Sequence, residues 1–116
     1  MRSLLAITSV FLLFVFLAAK DTKANTSIST HDAIDICTRA DMDWINFCNG
    51  LMQGYADLIY VTDPSCIPAG TTRIFLSEIF TGPAIYNTEA YKYNYPAIYG
   101  AMEVFGNTFQ CNFDTY

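Results

Sequence analysis

Residues 41–59 decide the fold of this chain, and they read DMDWINFCNGLMQGYADLI. Apolar residues recur in this stretch at intervals of three and four, which is the period of an α-helix; they are Ile45, Cys48, Met52, Tyr55 and Ile59. Asp41 is a suitable N-cap, because its short side chain can accept a hydrogen bond from an N–H group of the first turn. The stretch therefore predicts one long helix with an apolar face.

Two glycines, Gly50 and Gly54, lie about one turn apart on this helix. Each costs roughly 1 kcal/mol of helix propensity relative to alanine, so we expect a second helix to pack closely against the flattened surface. The alternative is that the helix simply tolerates both. Asp57 is also a poor helix former. It is expected to bond the backbone of the segment after Cys66, or else to lie exposed at a binding face.

Three shorter helices are predicted around the long one. The first follows a cap at Ser29 or Thr30, the next follows a cap at Thr72, and the last starts at Pro96, whose missing N–H costs nothing there. Their expected ranges are 31–38, 73–80 and 96–105.

The N-terminal residues have the pattern of a signal peptide. Arg2 precedes an apolar run over residues 4–19, and Thr22 and Ala24 are small residues at the minus-three and minus-one positions of a cut. We expect residues 1–24 to be cleaved and residues 25–116 to form one helical domain without a membrane anchor. A cut after Ala19 and an uncleaved anchor are the alternatives, although the run is shorter than the roughly 20 residues a span needs.

The expected mature chain is strongly acidic. It keeps three basic and ten acidic residues, which leaves a net charge of −7. Such a chain has no basic patch with which to release counterions from phosphates, so nucleic acid is not an expected partner. Its charge would instead steer it towards a basic partner surface.

Four cysteines follow the expected cut, and they are Cys37, Cys48, Cys66 and Cys111. An even number in a short exported chain predicts disulfides, whereas zinc is not expected, because no Cys-x-x-Cys pair exists and His31 is the single histidine. An antiparallel arrangement of the last two helices favours pairing Cys66 with Cys111 and leaves Cys37 with Cys48; a Cys48–Cys66 bond is an alternative. The sequence thus predicts an all-α, small disulfide-stabilised bundle of about four helices.

No motif for catalysis, metal or cofactor binding emerges, so an enzyme is the least favoured class. The acidic residues near residues 32–43 are explained by helix capping more simply than by acid–base chemistry. A tyrosine-rich stretch over residues 84–95 remains, and it is either a partner contact or ordinary core and surface. Its members are Tyr86, Tyr91, Tyr93 and Tyr95.

Three segments in order resemble conserved pieces of one protein family. Residues 48–57 (CNGLMQGYAD) are similar to Cys-x-Gly-Tyr-x-x-Gly-x-x-Asp, residues 66–72 (CIPAGTT) to Cys-Leu-Pro-x-Gly-Val-Thr, and residues 109–111 (FQC) to Phe-Pro-Cys. These are motifs of the Rap/Tai family of immunity proteins of type VI secretion amidase effectors. The motif positions carried over are Gly50, Gly54, Asp57, Pro68, Gly70 and Thr72. Leu51, Phe75 and Gln110 depart from the pattern, and residues 81–95 do not match it.

The resemblance implies an all-α periplasmic protein that binds a cognate peptidoglycan amidase and blocks its active site. It also allows a homodimer, and it implies no cofactor. The main alternative is a periplasmic acid-stress chaperone, or another small secreted helical binding protein, in which protonation of the carboxylates would expose apolar surface.

Overall fold

A computed structural model describes residues 27–113 of the chain, and the predicted signal peptide with its cleavage site lies outside them. The elements are α1 (Thr30–Cys37), α2 (Met42–Thr62), α3 (Arg73–Phe80), a 3₁₀ helix (Pro83–Asn87), α4 (Glu89–Lys92) and α5 (Ala97–Phe109). No β-strand forms among these residues, and the all-α prediction is confirmed. None of the described helices is long and apolar enough to cross a membrane.

Side-chain caps fix where three of the helices begin. Ser29 accepts a hydrogen bond from the N–H of Asp32, Thr72 from that of Phe75, and Thr88 from that of Tyr91. Each cap satisfies one N–H that the first turn leaves without an intrahelical partner. Asp41 stands at the N-cap of α2 as predicted, but its side chain makes no capping hydrogen bond.

The C-terminal half of the domain differs from the four-helix expectation. α5 continues through Gly106 and Asn107 to Phe109, and it ends where Gln110 adopts a left-handed conformation with φ 57°. The tyrosine-rich stretch, for which no helix was predicted, holds the 3₁₀ helix and α4. α4 forms because Thr88 caps it and because the Glu103 carboxylate of α5 accepts hydrogen bonds from the N–H groups of Glu89 and Ala90.

The core is built on α5, which packs against every other helix of the described chain. Its buried face carries Ala97, Ala101, Val104 and Phe105. Gly100 lies on the same helix, where an added Cβ would come within 3.1 Å of the Ile85 side chain. The small residues therefore let the neighbouring elements approach α5 closely. The larger side chains that fill the remaining space are Met52, Ile59, Leu76 and Phe80.

The prediction that a second helix packs closely against Gly50 and Gly54 is wrong. Both glycines are exposed, and a Cβ added at either would meet no atom within 4 Å. The buried residues of α2 are Cys48, Met52 and Ile59, on a different side of the helix. The second helix that we expected against the glycines therefore packs elsewhere.

Two disulfides join the pairs that the sequence favoured. Cys37–Cys48 links the end of α1 to the first half of α2, and Cys66–Cys111 links the segment before α3 to the second residue after the end of α5. All four cysteines are paired. Cys48 and Cys66 are buried in the core cluster, so each bond joins the core to a chain segment nearer the surface.

Removing the two disulfides one at a time should destabilise the protein unequally. On the chain-entropy model, a loop of 45 residues is worth roughly 4 kcal/mol and one of 11 residues roughly 3 kcal/mol. The Cys66→Ala/Cys111→Ala variant should therefore have a lower free energy of unfolding than Cys37→Ala/Cys48→Ala. Urea denaturation of both variants measures this. The opposite order would show that packing at Cys48 outweighs loop closure.

Two glycine substitutions should change stability in opposite directions. Gly54→Ala adds a methyl group in open space on a helix, and we expect it to stabilise the protein by up to about 1 kcal/mol. Gly70 has φ +88°, so Gly70→Ala should destabilise it by roughly 1 kcal/mol or more. Thermal unfolding of the matched pair tests both. A loss of stability in Gly54→Ala would mean that other atoms pack against this face of α2.

Candidate functional site

Much apolar surface of this domain remains exposed. On α2 and α3 the exposed large side chains are Met42, Ile45, Phe47, Leu58, Tyr60, Val61, Ile74 and Phe75. Val61 is 79% exposed and Met42 is 69% exposed, although both belong to the longest helix. Single apolar residues at a surface need no explanation, but adjacent ones beside a concavity mark interaction sites.

A groove of about 630 Å³ lies between α2 and α5, and we call it the α2/α5 groove. Leu58, Ile59 and Thr62 line it from α2, and Ile98 and Met102 line it from α5. Phe113 lies along it after α5 ends. Its size falls within the roughly 300–1,000 Å³ of ligand-binding clefts, which are also mostly apolar.

Among residues 27–113, the charged groups that line the α2/α5 groove are two carboxylates, and they have different roles. Both oxygens of Glu103 are engaged: Oε1 lies 3.1 Å from the Glu89 nitrogen, and Oε2 lies 2.9 Å from the Ala90 nitrogen. Glu103 therefore holds α4 against α5 as a helix cap. The Glu89 side chain is exposed, and its carboxylate makes no hydrogen bond or ion pair within residues 27–113.

Tyrosines form an exposed row beside the groove. Tyr93 stacks on Tyr95 with ring centroids 5.5 Å apart, and Tyr95 meets Tyr99 edge-on at 6.3 Å. All three side chains are exposed, and Tyr95 and Tyr99 line the groove itself. Tyr99 lies outside the stretch that the sequence singled out. Its place at the start of the predicted last helix, directly after the tyrosine-rich stretch, was the signal that could have found it.

The other two predicted tyrosines lie apart from this row. The Tyr91 ring is partly buried between Tyr86, at 4.9 Å, and His31, at 4.7 Å. His31 Nε2 lies 2.7 Å from the Tyr91 carbonyl oxygen, so this nitrogen carries the hydrogen and donates it. His31 thus attaches α1 to α4. Tyr91 is a packing residue, whereas Tyr86 is exposed.

The residues carried over from the family motifs divide into two groups. Gly70, with its positive φ, and Thr72, as the cap of α3, shape residues 66–72, which we call the connector. Within it, the Pro68 carbonyl accepts hydrogen bonds from Thr71. Gly50, Gly54 and Asp57 lie exposed on α2. The expected bond between Asp57 and the backbone after Cys66 is not formed. Instead the Asp57 carboxylate accepts a hydrogen bond from Gln53 Nε2, one turn earlier in the same helix, at 3.0 Å.

Asp63 is the residue whose carboxylate orders the turn before Cys66, and the sequence pattern did not single it out. Its carboxylate accepts hydrogen bonds from Ser65 Oγ at 2.8 Å and from the Ser65 N–H. The hydrogen bond from the Ser65 side chain is the main cause that lowers the pKa of Asp63 below its ordinary value. Hydrogen bonds from the backbone N–H groups of Ser65 and Asn112 act in the same direction. Asp63 therefore bridges the segments on both sides of the Cys66–Cys111 bond.

Asp63 and Tyr55 are two further polar groups of the described residues that could suggest metal binding or acid–base chemistry. Asp63 lies within 4.8 Å of both sulfur atoms of the Cys66–Cys111 pair, but sulfurs bonded to each other are not the thiolates that bind metals. Burial raises the pKa of Tyr55 to about 12, so its hydroxyl stays neutral at physiological pH. Both groups are explained by structure.

Comparison with known proteins adds no relative to this picture. No protein-family model, curated protein or solved structure matches the chain. The α2/α5 groove and its tyrosine row are therefore the features on which a functional proposal can be built.

Asp63→Asn should make the protein less stable near neutral pH and less sensitive to acid. A carboxyl whose pKa is lowered by folding contributes stability above its unfolded pKa of about 3.9, and loses that contribution as the pH falls through its folded pKa. The difference in unfolding free energy between wild type and variant should therefore be largest at pH 7 and shrink by pH 2.5.

Denaturant unfolding at the two pH values measures this difference. Asp57→Asn is the matched control, because that carboxylate is exposed and bonds one side chain of its own helix. An equal effect of Asp63→Asn at both pH values would contradict a role for the charge.

Proposed function

We propose that this protein is a periplasmic immunity protein, which binds a peptidoglycan amidase toxin delivered by type VI secretion and blocks its active site. The observation that carries the proposal is the α2/α5 groove with its exposed tyrosine row. A blocking protein needs a rigid surface complementary to its target and no catalytic groups of its own. This domain supports the proposal with an exposed, structurally fixed surface on a small, cross-linked fold.

The composition of the exposed surface suits tight binding. Tyrosine is enriched among the residues that dominate interface energies, because it offers a large contact area with few rotatable bonds. Tyr93, Tyr95 and Tyr99 are between 44% and 56% exposed, so their rings are available to a partner. Exposed Leu58 and Val61 add apolar area on the neighbouring helix.

Rigidity of the surface also supports the proposal. Thr30 donates two hydrogen bonds to the Tyr95 carbonyl, from its N–H at 2.8 Å and from Oγ1 at 2.6 Å. The side chain of Thr30 is fully buried. A surface already fixed in its binding shape loses little conformational entropy when the partner arrives, and this favours affinity.

Compartment and charge agree with the same function. Disulfides persist in oxidising compartments outside the cytoplasm, so the two bonds fit an exported protein. The net charge of −7 expected for residues 25–116 would speed encounter with a basic toxin. Residues 48–57, 66–72 and 109–111 resemble, in order, motifs of amidase immunity proteins. This resemblance favours amidase immunity over binding in general.

The acid-stress chaperone is the less favoured alternative. Such a protein conceals apolar surface until acid exposes it, but here large side chains such as Phe47, Leu58 and Val61 are already exposed in the folded domain. Apolar surface that is exposed in the folded state is more typical of a protein that forms a stable complex with one partner than of a chaperone that acts only in acid.

We expect a peptidoglycan amidase to be encoded next to the gene of this protein, and co-expression with that amidase, directed to the periplasm, should let cells survive. Purified protein should inhibit that amidase at neutral pH in a stoichiometric complex. Raised salt should slow association more than it weakens the complex, because charge acts mainly on encounter. Survival counts and stopped-flow binding measure the two effects.

The control for this experiment is a chain lacking residues 1–24, which should stay in the cytoplasm and give no protection. Absence of rescue by the full chain, combined with suppression of aggregation of unrelated proteins near pH 4, would contradict immunity and support the chaperone.

A further inference from the structure

The α2/α5 groove has a charge pattern that restricts what can occupy it. Its floor is apolar, and Glu89 and Glu103 are the charged groups that line it within the described part of the chain. Glu103 is committed to the start of α4 through both of its oxygens. Glu89 is thus the negative charge left for a ligand, and a ligand that buried it without a counter-charge would incur a desolvation cost.

The tyrosine row adds a second attraction for positive charge. The face of a tyrosine ring attracts ammonium and guanidinium groups within about 6 Å of its centre. The row already does this within the chain, since Lys92 Nζ lies 5.2 Å from the centre of the Tyr93 ring. Tyr95 and Tyr99, which line the groove, have no such cation placed on them among residues 27–113.

The walls of the groove are fixed from several directions. Glu103 joins α4 to α5, Thr30 holds the Tyr95 backbone, and the Ala97 N–H donates to the Ile28 carbonyl at 2.8 Å. At the far end, the Phe113 ring lies against Gly106, where a Cβ would come within 2.9 Å. The groove is therefore formed before any ligand arrives.

We infer that the α2/α5 groove binds an apolar segment of the partner that carries a lysine or arginine. The apolar side chains of the segment cover Leu58, Ile98 and Met102, and its cation lies in the part of the groove that Glu89 and the tyrosines share. The identity of the partner as an amidase rests on the proposed function, whereas the chemistry of the groove does not.

Charge argues against the two other occupants of an apolar groove. A second copy would bring another strongly acidic surface, with a net charge of −7 over residues 25–116, against Glu89. An anionic membrane surface would repel the chain for the same reason. A basic, apolar segment of another protein would bury apolar surface on the floor of the groove and would also be attracted by Glu89 and the tyrosine rings.

The first test uses the protein purified from the periplasm and a synthetic amphipathic peptide of leucine and lysine as probe. Chemical-shift changes of backbone amides should be confined to the groove. Glu89→Gln should weaken binding by about 2- to 5-fold and reduce its dependence on salt, and Tyr99→Ala should weaken it by more than about 5-fold. Both side chains are exposed, so both variants should fold.

Matched controls lie on α3. Glu78→Gln removes an exposed carboxylate beside a smaller apolar pocket that Ile74 also lines, and it should leave binding unchanged. A peptide with glutamate in place of lysine should not bind. Equal effects of Glu78→Gln and Glu89→Gln, or shift changes centred on α3, would overturn the inference.

The second test repeats the amidase rescue with the same variants. Loss of rescue in Tyr99→Ala and in Leu58→Gln, but not in Glu78→Gln, supports the groove as the contact site. Full rescue by the groove variants overturns the inference and leaves the immunity function standing. Peptide binding in the groove without rescue by wild type supports the groove and rejects amidase immunity. A concentration-dependent dimer whose interface covers Leu58 would also overturn the inference.

Discussion

Close packing on α5 is the constraint on which the rest of the structure depends. α1, α2, α3, α4 and the 3₁₀ helix all contact it, and this is sterically feasible because Ala97, Gly100 and Ala101 keep one side of the helix narrow. The Ile85 side chain would lie 3.1 Å from a Cβ at position 100. Any larger residue there would push the 3₁₀ helix away, and the support of α4 and the tyrosine row would move with it.

A core centred on one helix leaves the longest helix mostly outside it. α2 has 21 residues, but Cys48, Met52 and Ile59 are the ones that are buried. The side chains of Phe47, Leu58 and Val61 are 47%, 53% and 79% exposed, so the exposed part of their apolar surface lowers solubility without adding stability. The two disulfides help such a small core to suffice, since they restrict the unfolded chain.

Local signals carried the parts of the fold that could be predicted. Residues 45–59 showed the helical period of α2, and Thr72 indicated where α3 begins. The assumption that the last two predicted helices are antiparallel favoured the Cys66–Cys111 bond, which the structure contains. α4 was missed because Glu103, thirteen and fourteen residues away, supplies part of its N-terminal hydrogen bonding. The groove was missed for the same physical reason: Leu58 and Met102 are neighbours only after the chain has folded. The sequence singled out Tyr93 and Tyr95, which the structure places in an exposed row. It could not separate them from Tyr91, because the burial of Tyr91 depends on its contact with His31.

The acidity of the domain is compatible with its stability because of where the charges lie. Asp32, Asp43 and Glu89 are each in the first turn of a helix, where the positive end of the helix dipole favours a negative charge. Glu103 is placed at the same kind of helix end, although it comes from another helix. The fold can therefore carry a large negative charge with less repulsion than the net value suggests. These helix starts remain exposed at Asp32, Asp43 and Glu89, so charges that stabilise helices locally also contribute to the field that a basic partner meets.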